Sequence, residues 1–239
     1  MTAMAASGLR SRMESLDLVA NNVANASTGG YKADREFYSL YVAPEAMDAD
    51  QAATMPVIER PWIDLAQGVV QPTGNALDLA LSGKGFFAVQ SPGGPLYTRN
   101  GSFHLAADGS LVTSDGYPVS GMGGAPIRLQ TSAAIEVAGD GTVRQNGTVV
   151  GQLQVVDFPG GSGLAKQGNN YFRSASKSPA PAADAATTVQ QGKLEASNTG
   201  TAESAVRLIS IMRQFEMLQK AASTALDMSK EAVEQVAKV

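Results

Sequence analysis

The sequence predicts an α+β fold, with N- and C-terminal helices paired as a coiled-coil stem and an antiparallel β-rich middle domain. Three patterns predict it. Near the N-terminus, Leu9, Met13, Leu16, Ala20 and Val23 recur at steps of four and three. Near the C-terminus, Leu208, Ile211, Phe215, Leu218, Ala222 and Ala225 alternate steps of three and four. Both are the narrow a/d stripe of a coiled-coil seam rather than the broader stripe of an ordinary surface helix. Between them the apolar period changes to two, and glycine turns punctuate it.

Taken in order, residues 1–40 read as the N-terminal helix and an Asn-rich turn, and 41–75 as an extended connector. Residues 76–173 read as the β-rich domain, 174–200 as a loop and return connector, and 201–239 as the C-terminal helix. The first helix runs from about Thr2 to Val23 and stops in Asn21-Asn22-Val23-Ala24-Asn25-Ala26-Ser27-Thr28-Gly29-Gly30. There the Asn, Ser and Thr side chains compete for backbone hydrogen bonds and the glycines cap. Pro44, Pro56, Pro61 and Pro72 forbid a long helix in the connector. Strands are expected at Phe86–Gln90, Leu96–Arg99, Ser102–Leu105, Leu111–Thr113 and, by its alternation, Gln152–Val155. Asp108-Gly109, Asp115-Gly116, Asp140-Gly141 and Asn146-Gly147 supply the positive φ of tight turns. The clearest hairpin is Thr142–Gln145, then Asn146-Gly147, then Thr148–Val150. The Ser-Pro-Ala-rich stretch from Ser174 to Ala186 reads as a loop. From about Thr201 to Ala237 no Pro or Gly interrupts the last helix, which is about 55 Å long at 1.5 Å per residue.

Composition narrows the function classes. The 239 residues are 44% hydrophobic and 17% charged with net charge −4, and no basic block stands out, so nucleic-acid binding has little support. No apolar run approaches the ~20 residues of a membrane span. Arg10, Arg12, Glu14 and Asp17 interrupt the first twenty residues, so no cleaved signal peptide is expected. Cysteine is absent and His104 is the single histidine, which removes thiol chemistry and makes a transition-metal site improbable. Gly83-Lys84-Gly85 lacks the glycine spacing and the following Ser or Thr of a phosphate loop. His104, flanked by Phe103 and Leu105, is expected to face solvent or an interface. Asp34-Arg35-Glu36 reads as a solvated turn, and Trp62 as a packing anchor or, alternatively, an interface residue. No catalytic, cofactor or metal residues emerge, and no small-molecule substrate is implied.

Four blocks carry a resemblance over nearly the whole chain. Asn21–Lys32 resembles the N-terminal signature of flagellar rod and hook proteins. Gly74–Val89 is similar to their central block, and Tyr97–Phe103 with Gly109–Thr113 continues it. Gly192–Asn198 resembles the segment entering the C-terminal helix. Met212-Arg213-Gln214-Phe215-Glu216-Met217 looks most like the proximal-rod branch, since the distal-rod branch usually has Tyr where Phe215 stands. The resemblance implies a structural subunit of the periplasmic basal-body rod and no enzyme. It also implies contacts with copies of itself and with other proximal- and distal-rod subunits, and passage through the flagellar type III export apparatus. The candidate assembly residues are then Leu9, Met13, Leu16, Ala20, Asn21, Asn22, Val23 and Asn25 at one end. At the other they are Leu208, Ile211, Phe215, Leu218, Ala222 and Ala225. Asn21, Asn22 and Asn25 are expected to hydrogen-bond across subunits at a tight bend. The rival readings are a distal-rod subunit and a β-domain adhesin with helical termini.

Overall fold

A computed structural model describes residues 2–36, 38–42, 54–58, 62–130, 133–159, 163–168, 170–175, 183 and 186–236. Most of the expected loop from Ser174 to Ala186, parts of the connector and the last three residues lie outside this set. The chain forms two compact units. One holds residues 1–24, 34–64 and 200–239; the other holds 25–33 and 65–199.

The first unit contains α1 (Thr2–Ala24), β1 (Asp34–Arg35), β2 (Tyr38–Val42), β3 (Thr54–Ile58), β4 (Trp62–Ile63) and α2 (Thr201–Val236). β1 pairs antiparallel with β4, and β2 with β3. α1 packs on α2 and also on β3. The helices run antiparallel: a Cβ on Gly8 would sit 4.0 Å from Leu218 Cδ1, while Ser15 and Arg207 both reach Glu36. The first turn of α2 is closed by a bond from Ser204 N to Gly200 O at 2.9 Å, with Glu203 at the positive end of the dipole.

The two expected stripes fare differently. On α2, Leu208, Ile211, Phe215, Leu218, Ala222 and Ala225 are all buried or half-buried, in line with Ser204. On α1 the buried positions are Ser11, Ser15, Val19 and Asn22. Met13 (55% exposed) and Ala20 are exposed, and Leu9, Leu16 and Val23 are half-buried. At 100° per residue, the buried face and the apolar stripe of α1 are centred about 125° apart. Two further expectations are corrected here. Trp62 is 48% exposed rather than a packing anchor, because β4 is a two-residue edge segment. Glu36 is not solvated: its side chain is 1% exposed.

The second unit holds β5 (Val70–Pro72), β6 (Leu79–Ser82), β7 (Phe86–Ser91), β8 (Gly94–Thr98), β9 (Phe103–Leu105), β10 (Leu111–Thr113) and β11 (Ile135–Val137). It continues with β12 (Thr142–Gln145), β13 (Thr148–Gln152), β14 (Val155–Val156), β15 (Leu164–Gln167), β16 (Tyr171–Ser174), β17 (Thr188–Gln191) and β18 (Lys193–Glu195). A five-stranded antiparallel sheet in the order β14-β7-β8-β16-β15 is the largest among the described residues. β11-β12-β13 form a second sheet, and β9–β10, β6–β17 and β5–β18 form pairs. The Asn146-Gly147 turn is legible in its angles, φ 52° and 79°, the left-handed pair that a two-residue hairpin requires. The expected strand Gln152–Val155 is divided instead. β13 ends at Gln152, Leu153 bridges to Gly121, and Val155 starts β14 in another sheet. The alternation there marks a change of sheet, not one strand.

β7 is buried on both faces. Phe87 and Val89 enter a core with Leu79, Phe103, Val119 and Val143. Phe86 turns the other way, 5.2 Å from the Phe172 ring centroid and 6.0 Å from that of Phe158. Two tight turns are closed alike: Asp108 accepts from Ser110 N (3.0 Å) and Oγ (2.8 Å), and Asp140 from Thr142 N and Oγ1 (both 2.9 Å). These bonds hold both carboxyls below their ordinary 3.8, the backbone N–H contributing most. A depressed folded-state value stabilises fully above the unfolded value and is lost as pH falls through the folded one. Unit stability should therefore decline below about pH 4, and the Asp108→Asn, Asp140→Asn double variant should show a shallower acid limb in urea titrations.

Candidate functional site

The Asn-rich segment folds as a sequence of tight turns. Thr28 N donates to Asn25 O at 3.0 Å and its Oγ1 to Asn25 Oδ1 at 3.2 Å, and Tyr31 N donates to Thr28 O at 3.2 Å. Gly30 adopts φ +67° against the backbone of Arg99 and Asn100, where a Cβ would lie 2.3 Å from Asn100 N. Its own N–H donates to Glu195 O at 2.8 Å. This delivers Lys32 into the interior.

There Lys32 (0% exposed) meets Glu195 (0%) and Arg99 (3%). Lys32 Nζ donates to Glu195 Oε1 at 2.5 Å and to Ala66 O at 2.8 Å. Gly68 N donates to the same carboxylate oxygen at 2.8 Å. Arg99 Nη1 donates to Glu195 Oε2 at 3.1 Å and Nη2 to Gly83 O at 2.7 Å, with the guanidinium carbon 5.4 Å from the Phe86 ring centroid. Two cations thus share one carboxylate, and two carbonyls and an aromatic face accommodate the surplus positive charge. Asn198 completes the junction: its Oδ1 accepts from Ala33 N at 2.7 Å and its Nδ2 donates to Ala66 O at 3.0 Å. Every family block that carried the resemblance supplies a member: Lys32, then Gly83 and Phe86, then Arg99, then Glu195 and Asn198.

Asn22 and Asn25 are buried and Asn21 is exposed. Within its own unit, Asn22 clasps β1: Nδ2 donates to Asp34 O at 2.8 Å and Oδ1 accepts from Asp34 N at 3.0 Å. Asn22→Ala should cost about 1–3 kcal/mol by orphaning two backbone groups, measurable as a lowered midpoint of helix loss in urea. The sequence carried no local signal for the buried cluster, since Lys32, Arg99 and Glu195 stand beside polar neighbours such as Asp34, Asn100 and Lys193.

This arrangement holds distant chain segments together. His104 is exposed on β9. Among the described residues no cluster of three or more His, Asp or Glu is placed to bind a metal ion, and no helix is long and apolar enough to cross a membrane. A cleft of about 580 Å³ beside Asp115, Tyr117, Tyr171 and Arg173 uses its polar groups internally. The Tyr171 hydroxyl donates to Asp115 Oδ2 at 2.6 Å, and Arg173 donates to Gln167 Oε1 and Gly93 O. What the molecule does leave outward is apolar. Val206, Ile209, Met212, Met217, Met228 and Val233 project from α2 at 47–68% exposure. At 100° per residue they fall on several faces of α2, each of which calls for its own apolar partner.

A molecule of this kind is a structural subunit made to be packed against others. Comparison with known proteins gives the family. The model described as "Flagella basal body rod protein" matches residues 3–32. That of the flagellar hook protein FlgE/F/G D1 domain matches 80–150, and that of the flagellar basal body rod FlgEFG protein C-terminal region matches 190–235. The flagellar basal-body rod protein FlgF of Caulobacter vibrioides is 36% identical over 94% of this chain and 92% of its own length. FlgF of Mesorhizobium japonicum is 34% identical over 84% and 83%. FlgG of Agrobacterium fabrum is 34% identical over 95% of both. The chain belongs to the flagellar basal-body rod and hook family. Its function is structural, in the assembly of flagellar axial proteins for motility, and it is not an enzyme.

Proposed function

We propose that this chain is a proximal-rod subunit of the FlgF type. It stands in the periplasmic part of the basal body, reaches it through the flagellar type III export apparatus, and joins copies of itself and other rod subunits. The observation that carries this reading is the apolar surface left on α2, together with Met13 on α1. Each Met, Ile or Val side chain removed from water contributes roughly 1.5–3 kcal/mol, so α2 alone offers a large assembly energy. In the rod, Leu9, Met13, Leu16, Ala20 and Val23 of one subunit form coiled-coil seams with neighbouring helices. The α2 stripe from Leu208 to Ala225 holds α1 of its own chain. A head-to-tail contact that does not close generates a helical tube. The FlgF type is supported by the 36% identity to the Caulobacter protein and by Phe215.

Expression in cells lacking their FlgF-type subunit should restore swimming, and expression in cells lacking their FlgG-type subunit should not; the reverse result transfers the assignment to the FlgG type. Ile209→Lys with Met212→Lys should leave the purified chain folded by circular dichroism. Incorporation into basal bodies should fall at least about tenfold, the effect of losing ~1.4 kcal/mol of contact.

A further inference from the structure

We infer that Glu36 sets the rotational phase of α1 against α2 and so decides which face of α1 the chain keeps for itself. Its carboxylate is buried in the helical unit, where Ser15 Oγ on α1 donates to Oε2 at 3.0 Å and Arg207 Nη2 on α2 lies 3.4 Å from Oε1. One residue on the segment after α1 therefore grips both helices. The face of α1 turned inward is polar and small, with Ser11 and Ser15 buried beside Val19 and Asn22.

Hydrophobic burial alone would choose otherwise. Turning α1 so that Leu9, Met13 and Leu16 met the α2 stripe would bury far more apolar area. A buried ionic group adds little net stability compared with an apolar replacement, but it admits very few geometries, and fixing register is its best-attested use. Asn22 reinforces the same phase by clasping Asp34 two residues before Glu36. The consequence, which rests on the assembly reading, is that Met13, Ala20 and the uncovered parts of Leu9, Leu16 and Val23 stay available to a neighbouring subunit.

The chain has no cysteine, so thiol cross-linking reads the phase cleanly. The experiment uses the full-length chain in two double variants, Gly8→Cys with Leu218→Cys and Leu9→Cys with Leu218→Cys, treated with a short bifunctional thiol reagent. Gly8 and Leu9 stand at nearly the same height on α1 but about 100° apart. The Gly8 pair should cross-link at least about tenfold faster than the Leu9 pair. Adding Glu36→Leu, an apolar side chain of similar size that keeps the helices packed, should bring the two rates within about twofold. Glu36→Gln, which keeps an acceptor for Ser15, should fall between. A preference unchanged by Glu36→Leu overturns the inference, as does equal cross-linking in the Glu36 parent. The rate ratio is read without assembly, so a chain with the expected ratio that still fails to enter basal bodies counts against the assembly reading alone.

Discussion

Glu195→Ala destabilises the β-rich unit by about 3–5 kcal/mol, the loss seen when one member of a buried ion pair is removed and its partners stay behind. Lys32 and Arg99 would then share a dry interior with no carboxylate, and the N–H of Gly68 would lose its acceptor. With a typical urea slope, that moves the unfolding midpoint by roughly 2 M. Lys32→Met should cost less, because Glu195 keeps Arg99 and Gly68 N as donors and the new side chain fills the volume. In the double variant Lys32→Met, Glu195→Ala, the two losses should fall well short of adding, since they disrupt one network. A Glu195→Ala midpoint within experimental error of the parent would mean that the cluster contributes nothing.

Gly30→Ala should be nearly as damaging, by a different route. The residue adopts φ +67°, where any side chain is strained by ~1–3 kcal/mol. Its Cβ would also stand 2.3 Å from Asn100 N and 2.4 Å from the Arg99 carbonyl carbon, both backbone atoms that cannot swing aside. Overpacking of this kind costs a further ~1–3 kcal/mol. The control is Gly116→Ala, with φ +80° and nothing within 4 Å. It should suffer the backbone strain alone. Thermal unfolding should therefore separate them, with Gly30→Ala melting several degrees below Gly116→Ala, given ~2–4 °C per kcal/mol for a domain of this size. Equal melting points would show that the segment relaxes around the added methyl.

Where sequence reasoning worked, the information was local. The helix expected from about Thr201 to Ala237 is α2, Thr201–Val236, because uninterrupted periodicity and the absence of Pro and Gly are properties of the segment itself. The Asn146-Gly147 hairpin is as local: two residues dictate the left-handed angles and their neighbours follow. Where it failed, the deciding partner was distant. Nothing within α1 says that Ser11 and Ser15 turn inward, since that choice belongs to Glu36 and, through it, to Arg207 on a helix almost two hundred residues away. Trp62 looked like an anchor because large aromatics usually are, yet two-residue β4 leaves it 48% exposed. Lys32, Arg99 and Glu195 were visible as members of separate blocks, but composition and spacing carry no hint that they share one cavity.

The sequence distance between Lys32 and Glu195 imposes an order of events. They are 163 positions apart, whereas each hairpin of the β-rich unit closes over a handful of residues. Bringing such remote groups together carries the larger loop-closure penalty and belongs among the late steps of folding. A polypeptide that emerges from a ribosome end-first can therefore finish its turns and small sheets early. Its Lys32 ammonium waits without a counter-ion until nearly the whole of the β-rich unit has followed.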